Sequence, residues 1–194
     1  INALVADNFF AIHIQDGRLF GSLIDILNRC APVALLALGM TLVIATGGID
    51  LSVGAVMAIS GATMASLATG GHSLPVIVAS VLGVGLLCGL WNGLLVAVFK
   101  IQPIVATLIL MVAGRGIAQL ITEGQIITFN NEALAWIGSG ALCYLPTPVI
   151  ITLGMALLLW LLTKRTALGL FIEAVGINIR AAKNAGLNTP MVVI

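Results

Sequence analysis

Charged side chains are scarce in this sequence of 194 residues. Lys, Arg, Asp and Glu together make up 8% of it, against roughly 25% in an ordinary soluble domain. Hydrophobic residues make up 60%, and the mean hydropathy is +1.20. So few charges cannot supply the polar shell that a globule of 20.0 kDa needs in water. The composition therefore excludes a soluble protein and predicts that membrane lipid covers most of the surface.

Aromatic residues are also few, at 5%, whereas glycine is frequent, with 22 residues. A membrane β-barrel carries girdles of aromatic residues at both interfaces, and this sequence has too few of them. Small residues instead allow membrane helices to pack closely together. We therefore predict an all-α fold, a polytopic bundle of membrane helices.

Cysteine offers no framework for a disulfide or metal site, because the three cysteines are isolated and none lies in a CxxC pair. His13 and His72 likewise lack the spacing of metal ligands. The net charge is only +1, so no broad basic surface for nucleic acid can form. We expect neither a bound metal nor a nucleic-acid partner.

The sequence also lacks the short motifs of enzymes. No lysine is preceded by the GxxxxG of a nucleotide-binding P-loop, and neither HExxH nor GxSxG occurs. Only Asp50 and Arg115 offer candidates for chemistry within the apolar segments, which is thin support for an intramembrane enzyme. We therefore expect no catalytic residue, no cofactor and no ATP hydrolysis in this chain.

Several apolar runs are long enough to cross a bilayer, which takes about 20 residues in a helix. They cover residues 30–49, 51–69, 74–99, 101–122 and 146–163. The first two are separated only by Asp50, so they are either two spans or one interrupted helix. The apolar start of the chain would be the remainder of an earlier, outward-running helix. The sequence thus predicts about five to six spans in one membrane domain that is cut at both ends.

The charges between the spans predict their orientation. Residues 164–189 carry four basic side chains and one acidic one, which marks the cytoplasmic side. Residues 123–144 have two acidic side chains and no basic one, so we place them outside, as a surface loop with a short interfacial helix. Alternation then places Lys100 and the Asp50 region inside and residues 70–73 outside.

Polar side chains inside the apolar runs are candidates for a translocation path: Asp50, Ser52, Asn92, Arg115 and Gln119. Asp50 follows a pair of glycines that can break a helix. It could cap the next helix, or it could line the path of a discontinuous helix, as in many transporters. Asn92 must either bond across helices or face water, because an unpaired amide in lipid is costly.

Arg115 is the one basic residue well inside an apolar run, so its position needs a reason. It could face a polar cavity together with Gln119, one helical turn later. Alternatively, it lies near a helix end and pairs with Glu123.

Three glycines repeat at intervals of four residues: Gly85, Gly89 and Gly93. Two successive GxxxG units place them on one helix face, where a neighbouring backbone can approach. We assign them to helix packing, with contact to substrate as the alternative.

The segment 173–186, EAVGINIRAAKNAG, lies on the predicted cytoplasmic side. Its four alanines, Ala174, Ala181, Ala182 and Ala185, leave a low-profile helix surface that could fit into a groove of another protein. The alternative is an ordinary solvated helix.

This segment resembles a cytoplasmic loop of the EAxGxNxxAAxxAG kind, found in the permeases of ribose-type bacterial sugar importers driven by ATP-binding cassette (ABC) subunits. The matching residues are Glu173, Ala174, Gly176, Asn178, Ala181, Ala182, Ala185 and Gly186. Residues 39–54, GMTLVIATGGIDLSVG, carry a second match. Within the family, residues 15–22, 101–116 and 171–186 are most similar to permeases for galactofuranose.

The resemblance implies a multi-pass permease subunit of the bacterial inner membrane. It would move galactofuranose, or a related pentose or hexose, by alternating access. Residues 1–194 would be part of one permease domain, and residues 164–189 would be the coupling loop that docks on a separate ATP-binding subunit. The implied partners are that subunit, which would bind ATP and Mg²⁺, a second permease subunit and a periplasmic sugar-binding protein. An ion-coupled secondary transporter or channel using Asp50 and Arg115 is the alternative.

Overall fold

The computed structural model describes residues 13–15, 18–142 and 144–193, and most of these residues are helical. By length and composition, four helices could cross a membrane: α1 (Ser22–Ala45), α3 (Leu74–Ala97), α4 (Pro103–Ile121) and α6 (Thr147–Arg165). A further apolar helix, α2 (Val53–Thr69), is slightly shorter. The prediction of a polytopic helical membrane protein is confirmed.

The remaining elements are short. The helices are α5 (Glu132–Ser139), α7 (Ala167–Ile177), α8 (Ile179–Asn184) and α9 (Thr189–Val193). The strands form two antiparallel hairpins, β1 (His13–Gln15) with β2 (Arg18–Phe20), and β3 (Ala141–Leu142) with β4 (Leu145–Pro146). The sequence predicted the short helix within residues 123–144 but not the hairpins, whose strands are too short to show an alternating pattern. The predicted helix at the very start of the chain lies outside the described residues.

The first span was predicted to cover residues 30–49, and both of its limits were wrong. Helix α1 begins earlier, at Ser22, because Asp25 and Arg29 lie one turn apart on it and form an ion pair at 3.0 Å. It ends earlier, at Ala45, where Gly47 adopts a φ of +78°. The amides of Gly47 and Gly48 bond back to the carbonyls of Ile44 and Val43, which is the Schellman pattern that ends a helix.

Contacts divide the chain into two compact units. The first contains the described residues up to Gly39 together with Asn131–Lys164, and the second contains Met40–Asn130 together with the described residues from Arg165 onwards. In the first unit, the amide of Leu19 bonds the carbonyl of Tyr144, and Thr152 donates to the carbonyl of Ala31. That residues 1–194 form part of one permease domain stays a prediction.

Helices α2 and α4 make the most extensive helix–helix contact among the described residues of the second unit. Ile59, Ala62 and Ala118 form a small buried cluster between them. Small side chains on both helices allow this approach, which is how membrane helices gain packing energy in the absence of a hydrophobic drive. Large apolar side chains elsewhere remain exposed, among them Leu86, Val112 and Leu120. This distribution is what lipid as the surrounding solvent requires.

Candidate functional site

The candidate site is a cleft of about 330 Å³ in the second unit. Its walls come from the end of α1, the break before α2, the C-terminal part of α3 and the first turns of α4. The middle of α7, through Ile172, and the end of α9, through Val192 and Val193, complete it. The polar side chains on its lining are Thr46, Asp50, Asn92 and Thr107.

Three of the five predicted path residues are joined by hydrogen bonds. Asp50 Oδ1 accepts from the backbone amide of Ser52 at 2.7 Å and from the Ser52 hydroxyl at 2.6 Å. Ser52 Oγ in turn accepts from Asn92 Nδ2 at 2.9 Å. Because Ser52 is fully buried, this chain of bonds connects the break before α2 to the interior of α3.

The structure answers how residues 30–69 are arranged: α1 and α2 are separate helices joined by the irregular segment 46–52. Asp50 holds that segment, because its carboxylate accepts the Ser52 amide just ahead of α2. It therefore acts in the turn and not as the helix cap, because Ser52 is the N-cap residue of α2 and no described side chain bonds the first amides of that helix. Asp50 also lies on the cleft. A role in translocation stays a prediction.

Asn92 forms a hydrogen bond from α3 to Ser52 ahead of α2, which is one of the two alternatives that the sequence left open. Within the described part of the chain, only the nitrogen of its side-chain amide is bonded. Asn92 is 8% exposed, and its carbonyl oxygen is buried without a hydrogen-bond partner. An unsatisfied buried acceptor costs on the order of 1–3 kcal/mol. The cleft therefore holds a polar atom whose bonding capacity is unused in this conformation.

Arg115 and Gln119 lie away from the cleft. Arg115 is exposed on α4, and within the described residues it forms no ion pair with Glu123. Gln119 lines a different cavity of about 300 Å³, with Thr122 and Ile127. The structure thus does not bring these two residues together with Asp50, because they lie two to three turns further along α4 than Thr107.

The three glycines of α3 have different surroundings within the described part of the chain. Gly89 and Gly93 line the cleft, and Gly93 is buried. A Cβ added at Gly85 or Gly89 would meet no atom within 4 Å. Helix packing at these positions stays a prediction.

The predicted coupling segment folds as two helices that share one capping residue. Asn178 ends α7 and begins α8, and its side chain accepts from the amides of Arg180 and Ala181, both at 3.0 Å. Gly186 ends the segment at a φ of +89°. Its backbone amide donates to the carbonyl of Lys183, and the amide of Leu187 donates to the carbonyl of Ala182. These two bonds form a second Schellman motif. The asparagine and glycine of the sequence pattern are therefore explained by the geometry of the two helix ends.

The exposed face of this segment differs from the predicted one. Ala182 was placed among the docking alanines, but it is only 5% exposed and packs inside the chain. Ala181, Ala185 and Glu173 are exposed, and Ala174 is half-buried. Ile177 is 86% exposed and Ile179 is also exposed. The available surface is thus formed by two isoleucines as well as two alanines.

Helix α7 contacts the membrane part of the second unit at Gly176. A Cβ added to Gly176 would collide with the carbonyl oxygen of Ala45, the last residue of α1. Ile172, one turn earlier on α7, lines the cleft. A movement of α7 would therefore reach both the end of α1 and the cleft wall.

Several residues of this site were missed by reasoning from the sequence. Thr107 lines the cleft and donates to the carbonyl of Pro103 at 2.9 Å, and the only signal was a threonine one turn after a proline. Val192 and Val193 belong to α9 and also line the cleft.

We predict that Asp50→Asn lowers transport about five- to tenfold without lowering the amount of protein in the membrane. The amide can still accept the Ser52 amide proton, but a charged acceptor forms roughly twice as strong a bond as a neutral one. Uptake per membrane-inserted permease measures this effect. Unchanged uptake would limit Asp50 to its part in the turn.

Comparisons with known proteins place this geometry among transport permeases. Residues 22–194 match the family described as branched-chain amino acid transport system / permease component. Over its whole length, the chain is 70% identical to a galactofuranose transporter permease protein of Escherichia coli (strain K12), and it covers 57% of that protein. These matches confirm the resemblance that residues 39–54 and 173–186 indicated.

Two further relatives are also sugar permeases by name. A fructose import permease protein of Bifidobacterium longum (strain NCC 2705) is 42% identical over 88% of this chain and 49% of its own length. A ribose import permease protein of Escherichia coli (strain K12) is 36% identical over 97% of this chain and 57% of its own. The chain thus spans about half the length of the curated relatives it matches. No solved structure gives a significant match.

Proposed function

The chain belongs to the family of permease components of branched-chain amino acid transport systems, and on that premise we propose that it forms part of the permease subunit of an ABC importer for a monosaccharide. The 70% identity to a galactofuranose transporter permease favours galactofuranose, or a related pentose or hexose, as the substrate. The protein would lie in the bacterial inner membrane, as its several apolar helices require.

The chemistry of the cleft favours a sugar over an amino acid, although the family description mentions amino acids. No basic side chain lies among the described residues that line the cleft. A ligand carboxylate would therefore have no cation to pair with and would meet Asp50 instead. A neutral sugar carries hydroxyl groups, and carboxylate and amide oxygens can accept hydrogen bonds from them.

One observation supports coupling to a partner: the segment 173–186 touches the end of α1 through Gly176 while it exposes Ile177, Ile179 and Ala181 to other proteins. We propose that a separate ATP-binding subunit docks on this exposed face. That subunit would bind ATP and Mg²⁺, and its closure would move α7 against α1 and the cleft wall. The permease itself would catalyse no reaction.

The further partners follow from the same proposal. A second permease subunit, identical or different, would complete the path, and a periplasmic sugar-binding protein would deliver the substrate. Lipid surrounds the apolar helices on the outside.

Uptake by the full-length permease in proteoliposomes tests the proposal. With the ATP-binding subunit, the binding protein and internal ATP present, we expect accumulation of labelled galactofuranose. Omission of ATP or of either partner should abolish it. Accumulation driven by a proton or sodium gradient alone would contradict the importer and support a secondary transporter.

A substitution on the exposed face gives a second test. We predict that Ala181→Glu lowers uptake about tenfold while the permease still inserts, because the new side chain prevents close docking at an interface centre. The side chain of Ala181 is exposed, so the substitution should leave the fold of the permease unchanged. Ala58→Glu is not a suitable control, because Ala58 packs against the buried cluster between α2 and α4. Gly138→Glu on α5 is the control, because a Cβ added at Gly138 meets no atom within 4 Å. Equal uptake by Ala181→Glu and the unaltered permease would argue against docking there.

A further inference from the structure

The hydrogen bonds between Asp50, Ser52 and Asn92 run in one direction. The Ser52 hydroxyl has a single proton and donates it to Asp50 Oδ1 at 2.6 Å. Ser52 Oγ then accepts from Asn92, through Nδ2 at 2.9 Å. A flipped Asn92 amide would set its carbonyl oxygen against an oxygen with no free proton. Asp50 therefore fixes the orientation of Asn92 through Ser52.

This orientation decides which atom of Asn92 is left over. Its nitrogen is used by Ser52, and its carbonyl oxygen is buried and accepts no hydrogen bond. Buried polar groups without partners are rare and often mark functional positions. Asn92 forms part of the cleft wall, so a ligand entering a widened cleft could supply the missing donor.

The other polar groups of the cleft make the same demand on a ligand. The hydroxyl proton of Thr46 goes to the carbonyl of Val43 at 2.8 Å, and that of Thr107 goes to the carbonyl of Pro103 at 2.9 Å. Their oxygens remain as acceptors, like the second oxygen of Asp50. The side chains of the cleft thus offer mainly acceptors, and the matching ligand is one that donates several hydrogen bonds.

We propose that Asn92 Oδ1 and the Asp50 carboxylate form a subsite that accepts hydrogen bonds from hydroxyl groups of the transported sugar as the cleft widens. The assignment rests on the proposed function, since it takes a polyhydroxylated monosaccharide as the ligand. Ser52 is the positioning residue, because it keeps the acceptor of Asn92 turned away from α2. The subsite reads hydroxyl groups rather than a charge on the ligand.

A series of monodeoxy sugars tests the subsite in the full-length transporter with its partners. Uptake of galactofuranose and of each monodeoxy analogue is measured for the unaltered permease and for Asn92→Leu, with the same binding protein throughout. Any preference of the binding protein then cancels from the ratio between the two permeases. For at least one analogue, we expect the unaltered permease to lose about tenfold in uptake and Asn92→Leu to show no such loss, because one hydrogen bond of about 1.4 kcal/mol is involved.

The same relative loss for every analogue in both permeases would overturn the subsite. Ser52→Ala provides a second variant if Asn92→Leu fails to assemble. Ser52→Ala keeps Asn92 Oδ1 as an acceptor but frees the Asn92 amide to rotate, so discrimination between the sugars should fall. Undiminished discrimination would contradict the positioning role of Ser52. Absence of ATP-dependent uptake of any sugar by the unaltered transporter would instead reject the proposed function itself.

Discussion

Replacement of Gly176 with alanine is expected to lower ATP-driven uptake about tenfold or more. A single added methyl group would collide with the carbonyl oxygen of Ala45, so α7 must move away from the end of α1. Forcing extra atoms into a packed contact costs about 1–3 kcal/mol, and each 1.4 kcal/mol is about a factor of ten. The expected defect is in coupling, because the face on which we propose that the ATP-binding subunit docks remains exposed.

The same substitution at Gly154 on α6 is the matched control. A Cβ there meets nothing within 4 Å, and alanine is the better helix former by about 1 kcal/mol. Uptake and ATP hydrolysis should be measured together in proteoliposomes. We expect the transporter with Gly154→Ala to transport normally, and the transporter with Gly176→Ala to show ATP hydrolysis by its ATP-binding subunit with little uptake. Normal uptake by Gly176→Ala would show that the contact with Ala45 does not transmit movement.

Replacement of Gly114 with leucine is expected to destabilise the bundle itself. A Cβ at Gly114 would lie 2.9 Å from the Cβ of Ala55 and 3.2 Å from Cδ1 of Ile59, both on α2. The two helices would have to separate at their closest contact. Overpacking of this kind costs about 1–3 kcal/mol, so the unfolding temperature should fall.

Gly116→Leu isolates the effect of packing, because Gly116 lies on the same helix and an added Cβ there meets nothing within 4 Å. Thermal unfolding of the purified full-length permease measures both variants. We expect the unfolding temperature to fall for Gly114→Leu and to stay within about 2 °C for Gly116→Leu. Equal unfolding temperatures would mean that α2 and α4 are not held together at Gly114.

The fold was predictable because hydropathy is a local property of the sequence. The runs at 74–99, 101–122 and 146–163 predicted α3, α4 and α6 closely, since charges and prolines mark their limits. The start of α1 was not predictable by the same rule, because Asp25 and Arg29 neutralise each other across one helical turn. A search for uncharged runs treats Asp25 and Arg29 as two charges that limit the span, whereas in the structure they form one ion pair within the helix.

The site was predictable only in part. Asp50, Ser52 and Asn92 stand out as polar residues in apolar runs, and the structure brings them together. Arg115 stands out by the same rule, yet it is exposed on α4, because composition does not say which helix face meets a cleft. Likewise, Gly114 and Gly176 each lie tightly against another helix, and no regular repeat distinguishes them from Gly85 and Gly89, which are open on α3.

The proposed mechanism depends on the segment 173–186, which would pass the movement of an ATP-binding subunit to α1 and the cleft. A photo-crosslinking amino acid at Ala181, in the full-length permease in native membranes, tests it most directly. A probe at Leu142, which we place on the opposite side of the membrane, is the control. We expect the ATP-binding subunit to be captured from Ala181 and not from Leu142. Failure to capture that subunit from Ala181, although it copurifies with the permease, would rule out docking on this segment.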